Sequence, residues 1–162
     1  SDTLLEGYSW NEIEVTLAHE LGHRLHHDIP KFIGIQAVTF LLAFYLTALA
    51  LRGGTAIFFL QGVSDIAGLP WLILVLSILI LVLQPALNWY NRRRERAADK
   101  TALALSDNPQ AFISLMTKLT DQNLNEAEPS RWVKLLFYEH PTYNERVKLA
   151  HNYISLSDTK QI

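Results

Sequence analysis

The chain has 162 residues, enough for one domain, with a formal net charge of −2 and no cysteine. This near-neutral charge gives no basic field of the kind that attracts nucleic acid, so no nucleic-acid partner is expected. The lack of cysteine excludes disulfides and thiolate metal sites, which leaves His, Glu and Asp as the possible metal ligands.

The first predicted element is a helix over residues 9–28. Ser9 is a favourable N-cap, and Glu12 stands three residues later, where it can complete a capping box. Apolar residues then recur every four positions from Ile13 to Leu25, which is a helical period. No secretory signal pattern precedes this helix, and we expect the chain to be an N-terminally truncated part of a longer protein.

Two nearly uninterrupted apolar segments follow, over residues 32–51 and 66–87. Each has about 20 residues, enough to cross a bilayer as a helix, which predicts a transmembrane hairpin surrounded by membrane lipid. A buried hairpin of a large soluble protein is the alternative, but core helices of this length usually keep a polar face. The linker contains Gly53-Gly54, which predicts a turn there.

The charges that flank the two apolar segments predict their orientation. Basic residues lie outside the two outer ends, whereas the linker carries one Arg and one Asp. By the positive-inside rule, the open ends of the hairpin are cytoplasmic. These basic residues are Arg24, Lys31, Arg92, Arg93, Arg94, Arg96 and Lys100.

Beyond Pro85 the chain becomes polar, and helices are predicted over residues 91–106, 110–122, 131–137 and 141–154. The run Ser106-Asp107-Asn108-Pro109 predicts the end of one helix and the start of the next. The predicted fold is mainly α and forms a single domain over residues 1–162. It has an active-site helix, a two-helix hairpin, a second metal-bearing helix and a C-terminal helical part over residues 107–162.

The first helix contains the motif His19-Glu20-Leu21-Gly22-His23. Residues four apart share a helix face, so both imidazoles can reach one ion. Glu20 lies beside that face, where its carboxylate can accept the proton of a water that attacks a carbonyl. An amphipathic helix with two surface histidines is the alternative interpretation.

A catalytic zinc usually has three protein ligands, and Glu95 is the best third candidate. Asp99 lies four residues further on the same helix face, where it can accept the free N–H of a ligating imidazole. An exposed helix with Arg, Glu and Asp contacts is the alternative. Two membrane crossings return the chain to the side on which it began, so the hairpin supports a site shared by His19, His23 and Glu95.

The remaining histidines are weaker candidates. His26 and His27 end the first helix, where polar interfacial residues are common. His140 precedes a proline and either caps a helix or donates to the oxyanion of a scissile carbonyl; Arg146 would then orient a carboxylate, plausibly that of Asp99. His151 has the character of a surface residue.

These motifs together resemble the integral-membrane gluzincin peptidases of the HtpX / CAAX prenyl protease family. The resemblance rests on the segment Leu17–His23, the paired apolar segments, the segment Arg94–Asp99, and His140-Pro141 with Arg146. It implies one zinc on His19, His23 and Glu95, with Glu20 as general base. It also implies that Asp99 supports a ligand and that His140 helps to bind the transition state.

The same resemblance implies a metalloendopeptidase of peptide or protein substrates, with quality control of membrane proteins as the favoured role. Processing of prenylated C-terminal peptides is one alternative, although it requires a larger enclosed chamber than this chain forms. A catalytically silent membrane scaffold is another, which the intact Glu20 argues against. Family members also carry a substrate-aligning strand, which Leu4-Leu5-Glu6 would follow.

Overall fold

The computed structural model describes residues 7–123 and 126–160, which contain six α-helices and no β-strand. The prediction of a mainly α fold is therefore confirmed. The segment Leu4-Leu5-Glu6 lies outside the described residues. The helices are α1 (Trp10–Leu25), α2 (Asp28–Ile57), α3 (Leu69–Ser106), α4 (Pro109–Gln122), α5 (Arg131–Phe137) and α6 (Tyr143–Lys160).

The chain packs as two compact units. One unit comprises Ser1–Asp28 together with Leu87–Ile162, and the other comprises Ile29–Ala86. The first unit carries all the predicted site residues, and the second consists of the apolar hairpin. That residues 1–162 form one peptidase domain remains a prediction.

The capping box at the start of α1 is confirmed. The Ser9 N–H donates to Oε2 of Glu12 at 2.7 Å, and the Glu12 N–H donates to Oγ of Ser9 at 3.4 Å. Glu12 is buried and also accepts from Lys118 Nζ at 2.8 Å and from Ser114 Oγ at 2.7 Å. Burial raises the pKa of Glu12, but the hydrogen bonds from Lys118, Ser114 and Ser9 outweigh it and lower the pKa to about 2. Glu12 thereby ties the start of α1 to α4.

The core of the first unit uses small and medium side chains from α1, α3, α4 and α6. Ala18, Ala102 and Ala150 are buried around Phe112, which is fully enclosed. Small residues let the helices approach closely, so backbone positions in this unit are tightly constrained. The face of α1 that bears Leu17, Leu21 and Leu25 is exposed instead. The packed face of α1 is thus the one next to the histidines.

In the apolar unit, α2 is longer than predicted. Gly53 and Gly54 lie inside the helix, so the predicted turn at this pair is wrong. A Cβ on Gly54 would come within 2.5 Å of the Trp71 ring, so glycine is what allows this close approach. Trp71 also donates to the Ala50 carbonyl at 2.9 Å and packs against Phe58. These contacts offset the roughly 1 kcal/mol that each glycine costs in a helix interior.

The second apolar segment and the second metal-bearing helix are one element. Helix α3 runs without a break through Pro85, whereas separate helices over residues 66–87 and 91–106 were predicted. A proline within a helix removes one backbone hydrogen bond and can be accommodated by a kink. The chain therefore passes from apolar to polar composition within one helix, close to residue 87.

Within the part of the chain that the structure describes, two helices are long and apolar enough to cross a membrane: α2 and the helical stretch of residues 66–106 that contains α3. Their apolar side chains are largely exposed and do not form a core. Such exposure is typical of helices that are surrounded by lipid. The exposed apolar residues include Val38, Phe40, Leu41, Phe44 and Tyr45 on α2, and Ile73, Leu74, Ile78, Ile80 and Leu81 on α3.

Candidate metal centre

Close packing of α1 on α3 creates the site. A Cβ on Gly22 would lie 3.1 Å from the Ala98 Cα and 3.1 Å from the Thr101 Cβ, closer than side chains normally pack. Gly22 therefore lets the two helices meet at their backbones. Because Gly22 lies between His19 and His23 on α1, this contact brings both imidazoles to the face of α3 that carries Glu95.

Three potential ligand atoms converge at this helix crossing. The Nε2 atoms of His19 and His23 are 3.1 Å apart, and each is 3.4 Å from an oxygen of Glu95. The side chain of Glu95 is almost wholly buried, and the two histidines are largely enclosed. Within the described residues, this is the one group of three or more His, Asp or Glu side chains with metal-site spacing.

The donor set and its spacing fit zinc. Ligand atoms 2.0–2.1 Å from a tetrahedral zinc lie roughly 3.3 Å from one another, close to the separations found here. Both Nδ1 atoms lie close to carboxylates, which favours the tautomers in which the two Nε2 atoms are free to bind a cation. His19, His23 and Glu95 can therefore hold one metal ion.

A carboxylate and an arginine lie behind His19. Asp99 Oδ1 is 3.1 Å from Nδ1 of His19, and Asp99 is fully buried. Arg146, on α6, forms a two-pronged ion pair with Asp99, with its Nε 2.8 Å from Oδ2. Burial lowers the pKa of His19, but hydrogen bonds with Asp99 and Glu95 outweigh it and raise the pKa to about 9. The site thus favours positive charge at His19.

A second carboxylate, which the sequence motifs did not single out, lies behind His23. Asp28 Oδ2 is 2.7 Å from Nδ1 of His23, and Asp28 is buried. It is the first residue of α2, five positions beyond the histidine. The signal in the sequence was an aspartate directly after the end of the motif helix, but its use depends on how the chain turns there.

His140 reaches the same centre from the loop between α5 and α6. Its Nδ1 is 3.0 Å from Oε2 of Glu95, and its side chain remains 65 % exposed. The hydrogen bond with Glu95 raises the pKa of His140. The other ring nitrogen, Nε2, is not used in this contact and is left for a bound molecule.

Two polar side chains of α3 fix the backbone that leads to His140. Asn88 donates to the Leu136 carbonyl at 2.7 Å, and Arg92 donates to the carbonyls of Lys134 and Tyr138. Both side chains are buried, and they donate to carbonyls near the end of α5 and just beyond it. Sequence motifs gave no sign of this role, because the partners are backbone atoms.

The other histidines are not part of the cluster. His26 Nε2 is 3.0 Å from Oγ1 of Thr101, further along α3. His27 is exposed at the turn between α1 and α2, with φ 52°, and His151 is exposed on α6. None of the three is among the residues with metal-site spacing.

A cavity of about 200 Å³ opens beside His19 and Glu95, two of the three candidate ligands. Glu20 lines it together with His19 and Glu95, and His140 lies at the same cavity. Glu20 thus borders the same space as two of the candidate metal ligands. The apolar part of the wall comes from Val15, Phe112, Leu115, Met116 and Leu119.

Comparison with known proteins identifies the family. The family model described as "Peptidase family M48" matches residues 1–154. The chain belongs to peptidase family M48. It is 30 % identical over 153 residues to the protein named uncharacterized metalloprotease YhfN of Bacillus subtilis, covering 92 % of this chain and 36 % of that protein.

Two further M48 relatives agree with this assignment. The protein named protease HtpX homolog of Streptococcus thermophilus is 26 % identical over 90 % of this chain and 56 % of its own length. The crystal structure of Ste24p from S. mikatae superposes with a TM-score of 0.76 at 25 % identity, over 92 % of this chain and 38 % of that chain. The recognition of an HtpX / CAAX prenyl protease type, and of its membrane-associated fold, is confirmed. The chain spans between about a third and just over half of the length of these relatives.

Gly22 gives a direct test of the helix approach in this M48 chain. We expect Gly22→Val to force α1 and α3 apart and to weaken divalent-metal binding strongly, with Gly22→Ala intermediate. Alanine gains about 1 kcal/mol of helix propensity, so a loss of metal affinity in Gly22→Ala would have a steric cause. Gly34→Ala is the matched control, since no atom lies within 4 Å of its Cβ position. Equal metal affinity in all four proteins would contradict the prediction.

Proposed function

We propose that this chain is the catalytic part of a zinc-dependent endopeptidase, with one zinc held by His19, His23 and Glu95. The observation that carries the proposal is the spacing of the three ligand atoms, 3.1 Å and 3.4 Å, with a carboxylate behind each imidazole. Membership of peptidase family M48 supports hydrolysis of peptide bonds. Substrates are accordingly peptides or proteins.

Each catalytic side chain has a separate task. Zinc, when bound, lowers the pKa of a water and polarises the scissile carbonyl. Glu20 accepts the proton of the attacking water on a carboxylate oxygen and passes it to the leaving amine. His140 keeps Nδ1 on Glu95 and turns Nε2 toward the oxyanion that develops on the substrate. Both groups border the 200 Å³ cavity, which therefore receives the bond to be cleaved.

Asp99 and Arg146 act through His19. Asp99 Oδ1 lies 3.1 Å from Nδ1 of His19, so its negative charge favours a proton on Nδ1 and leaves Nε2 for zinc. Arg146 pairs with the buried Asp99 carboxylate through two parallel contacts, which hold the carboxylate in place. Both residues are positioning residues in this proposal.

We place the catalytic unit at the cytoplasmic surface of a membrane, with the apolar unit Ile29–Ala86 in the lipid. The support is the excess of Arg and Lys at both outer ends of the hairpin. This location favours quality control of membrane proteins as the biological role. Prenylated C-terminal peptides are the second candidate substrate, favoured by the structural likeness to Ste24p.

A proteolysis assay of the purified chain in detergent tests the proposal. We expect internal cleavage of an unfolded membrane protein, loss of cleavage on removal of metal with a chelator, and recovery on addition of zinc. A farnesylated C-terminal peptide, assayed in parallel with its unmodified form, separates the two substrate classes. Cleavage that is unchanged by thorough metal removal would contradict the zinc mechanism.

A further inference from the structure

Beyond the predicted site residues, one buried carboxylate of the catalytic unit contacts a proposed ligand. We propose that Asp28, supported by Arg94, is the positioning residue for His23 and sets the affinity of the site for zinc. This inference rests on the proposed zinc site, but nothing in the H-E-x-x-H motif or its resemblance assigns a role to Asp28.

The turn after α1 places Asp28 against His23. Helix α1 ends at Leu25, and the His27 backbone adopts a left-handed conformation with φ 52°. Asp28 is the first residue of α2, and its carboxylate lies against the imidazole of His23. The Asp28 carboxylate is 5 % exposed, with Oδ2 only 2.7 Å from Nδ1 of His23.

The short contact has a chemical consequence for the metal. When Asp28 accepts the Nδ1–H of His23, the proton is fixed on Nδ1 and the Nε2 lone pair points at His19 and Glu95. The negative charge behind the ring also makes Nε2 a stronger donor to a cation. Without this acceptor, the ring can rotate or exchange its tautomer, and the ligand is no longer held ready.

Arg94 completes an arrangement that repeats the one behind His19. Its Nε is 3.7 Å from Oδ2 of Asp28, which reduces the cost of burying an ionised carboxylate. Each imidazole therefore has an aspartate behind it and each aspartate an arginine: Arg146 with Asp99 for His19, and Arg94 with Asp28 for His23. A merely structural acid at the start of α2 would not need to face the imidazole.

The test measures zinc affinity by chelator competition on the folded protein in detergent. We expect Asp28→Ala to weaken zinc binding about 10–100-fold, the range typical for loss of a ligand's hydrogen-bond partner. Asp28→Asn keeps an acceptor for the Nδ1–H, and we expect its affinity within about fivefold of wild type. Asp28→Ser preserves a favourable helix start but is too short to reach the ring, so it should behave like Asp28→Ala.

A second readout separates positioning from stability. Cobalt substituted for zinc reports ligand geometry in its visible absorption, and we expect an altered spectrum in Asp28→Ser but a near-native one in Asp28→Asn. The matched control is Glu12→Ala, which removes another buried carboxylate of the same unit without touching the site. It should lower the thermal unfolding midpoint and leave zinc affinity unchanged.

The outcomes distinguish this inference from the proposed function. Tight zinc binding by wild type with equal affinity in Asp28→Ser overturns the role of Asp28 and leaves the zinc site intact. A zinc affinity of Asp28→Asn as low as that of Asp28→Ser also overturns the role of Asp28, because a hydrogen-bond acceptor at this position would then not matter. Wild-type protein that is folded but binds no zinc overturns the proposed function itself.

Discussion

Glu20→Gln is expected to lower kcat by about 10²–10⁴-fold, the usual contribution of a general base, while one zinc per chain remains bound. Glutamine has nearly the same shape as glutamate but cannot accept the proton of the attacking water. Because Glu20 lines the cavity and is not among the three clustered ligand atoms, metal binding should not change. Single-turnover proteolysis and metal analysis on the same preparation measure both effects.

Glu14→Gln is the control for this prediction. Glu14 is exposed on the same helix, six residues before Glu20, and it does not line the cavity. The variant should cleave at the wild-type rate. If Glu20→Gln retained wild-type kcat with zinc bound, the proton would have to be accepted elsewhere. Biological function that is unchanged in Glu20→Gln, although proteolysis is lost, would favour the scaffold alternative.

Glu95→Ala is expected to weaken zinc binding by more than about 100-fold, beyond the usual effect of removing a residue that only supports a ligand. The variant leaves two imidazoles, whereas a catalytic zinc normally has three protein ligands. It also removes the carboxylate that contacts Nδ1 of His140. We therefore expect weaker metal binding and a less fixed position of the His140 ring. Zinc affinity by chelator competition and cleavage at saturating zinc measure the two effects.

A surface acid provides the comparison for Glu95→Ala. Asp121 is exposed near the end of α4, and Asp121→Ala should bind zinc and cleave substrate as wild type does. Zinc binding by Glu95→Ala at wild-type affinity would remove Glu95 from the site. His26, which directly follows α1 and contacts Thr101 in the structure, would then have to be reconsidered as a ligand.

The cluster at the helix crossing was predictable because it depends on helix periodicity and on the even number of apolar segments. His19 and His23 are four residues apart on one helix, and two crossings return the chain to the side of Glu95. The structure places these three side chains together and sets Asp99 behind His19. Their catalytic roles remain predictions.

The sequence did not reveal the contacts that depend on a single backbone torsion angle or on backbone atoms far away along the chain. The contact of Asp28 with His23 requires the left-handed φ of His27, which the residue types do not indicate. Asn88 and Arg92 bind carbonyls more than 40 residues away, and carbonyls leave no pattern in a sequence. Tertiary packing explains such misses, because it can override local preference.

The prediction of a turn at Gly53-Gly54 was wrong for a related reason. Glycine pairs usually mark turns, but Gly54 provides space for the Trp71 ring beside a continuing helix. Pro85 likewise did not end α3. In both cases the apolar composition of the surrounding segment was a better guide to helix length than the local breaker residue.

Zinc-edge X-ray absorption of the purified full-length chain tests the central claim most directly. We expect about one zinc per chain, with nitrogen and oxygen ligands at about 2.0–2.2 Å and the outer-shell scattering of two imidazole rings. Folded protein that holds zinc with fewer than two imidazoles, or holds none when zinc is supplied, would contradict the assignment of His19, His23 and Glu95.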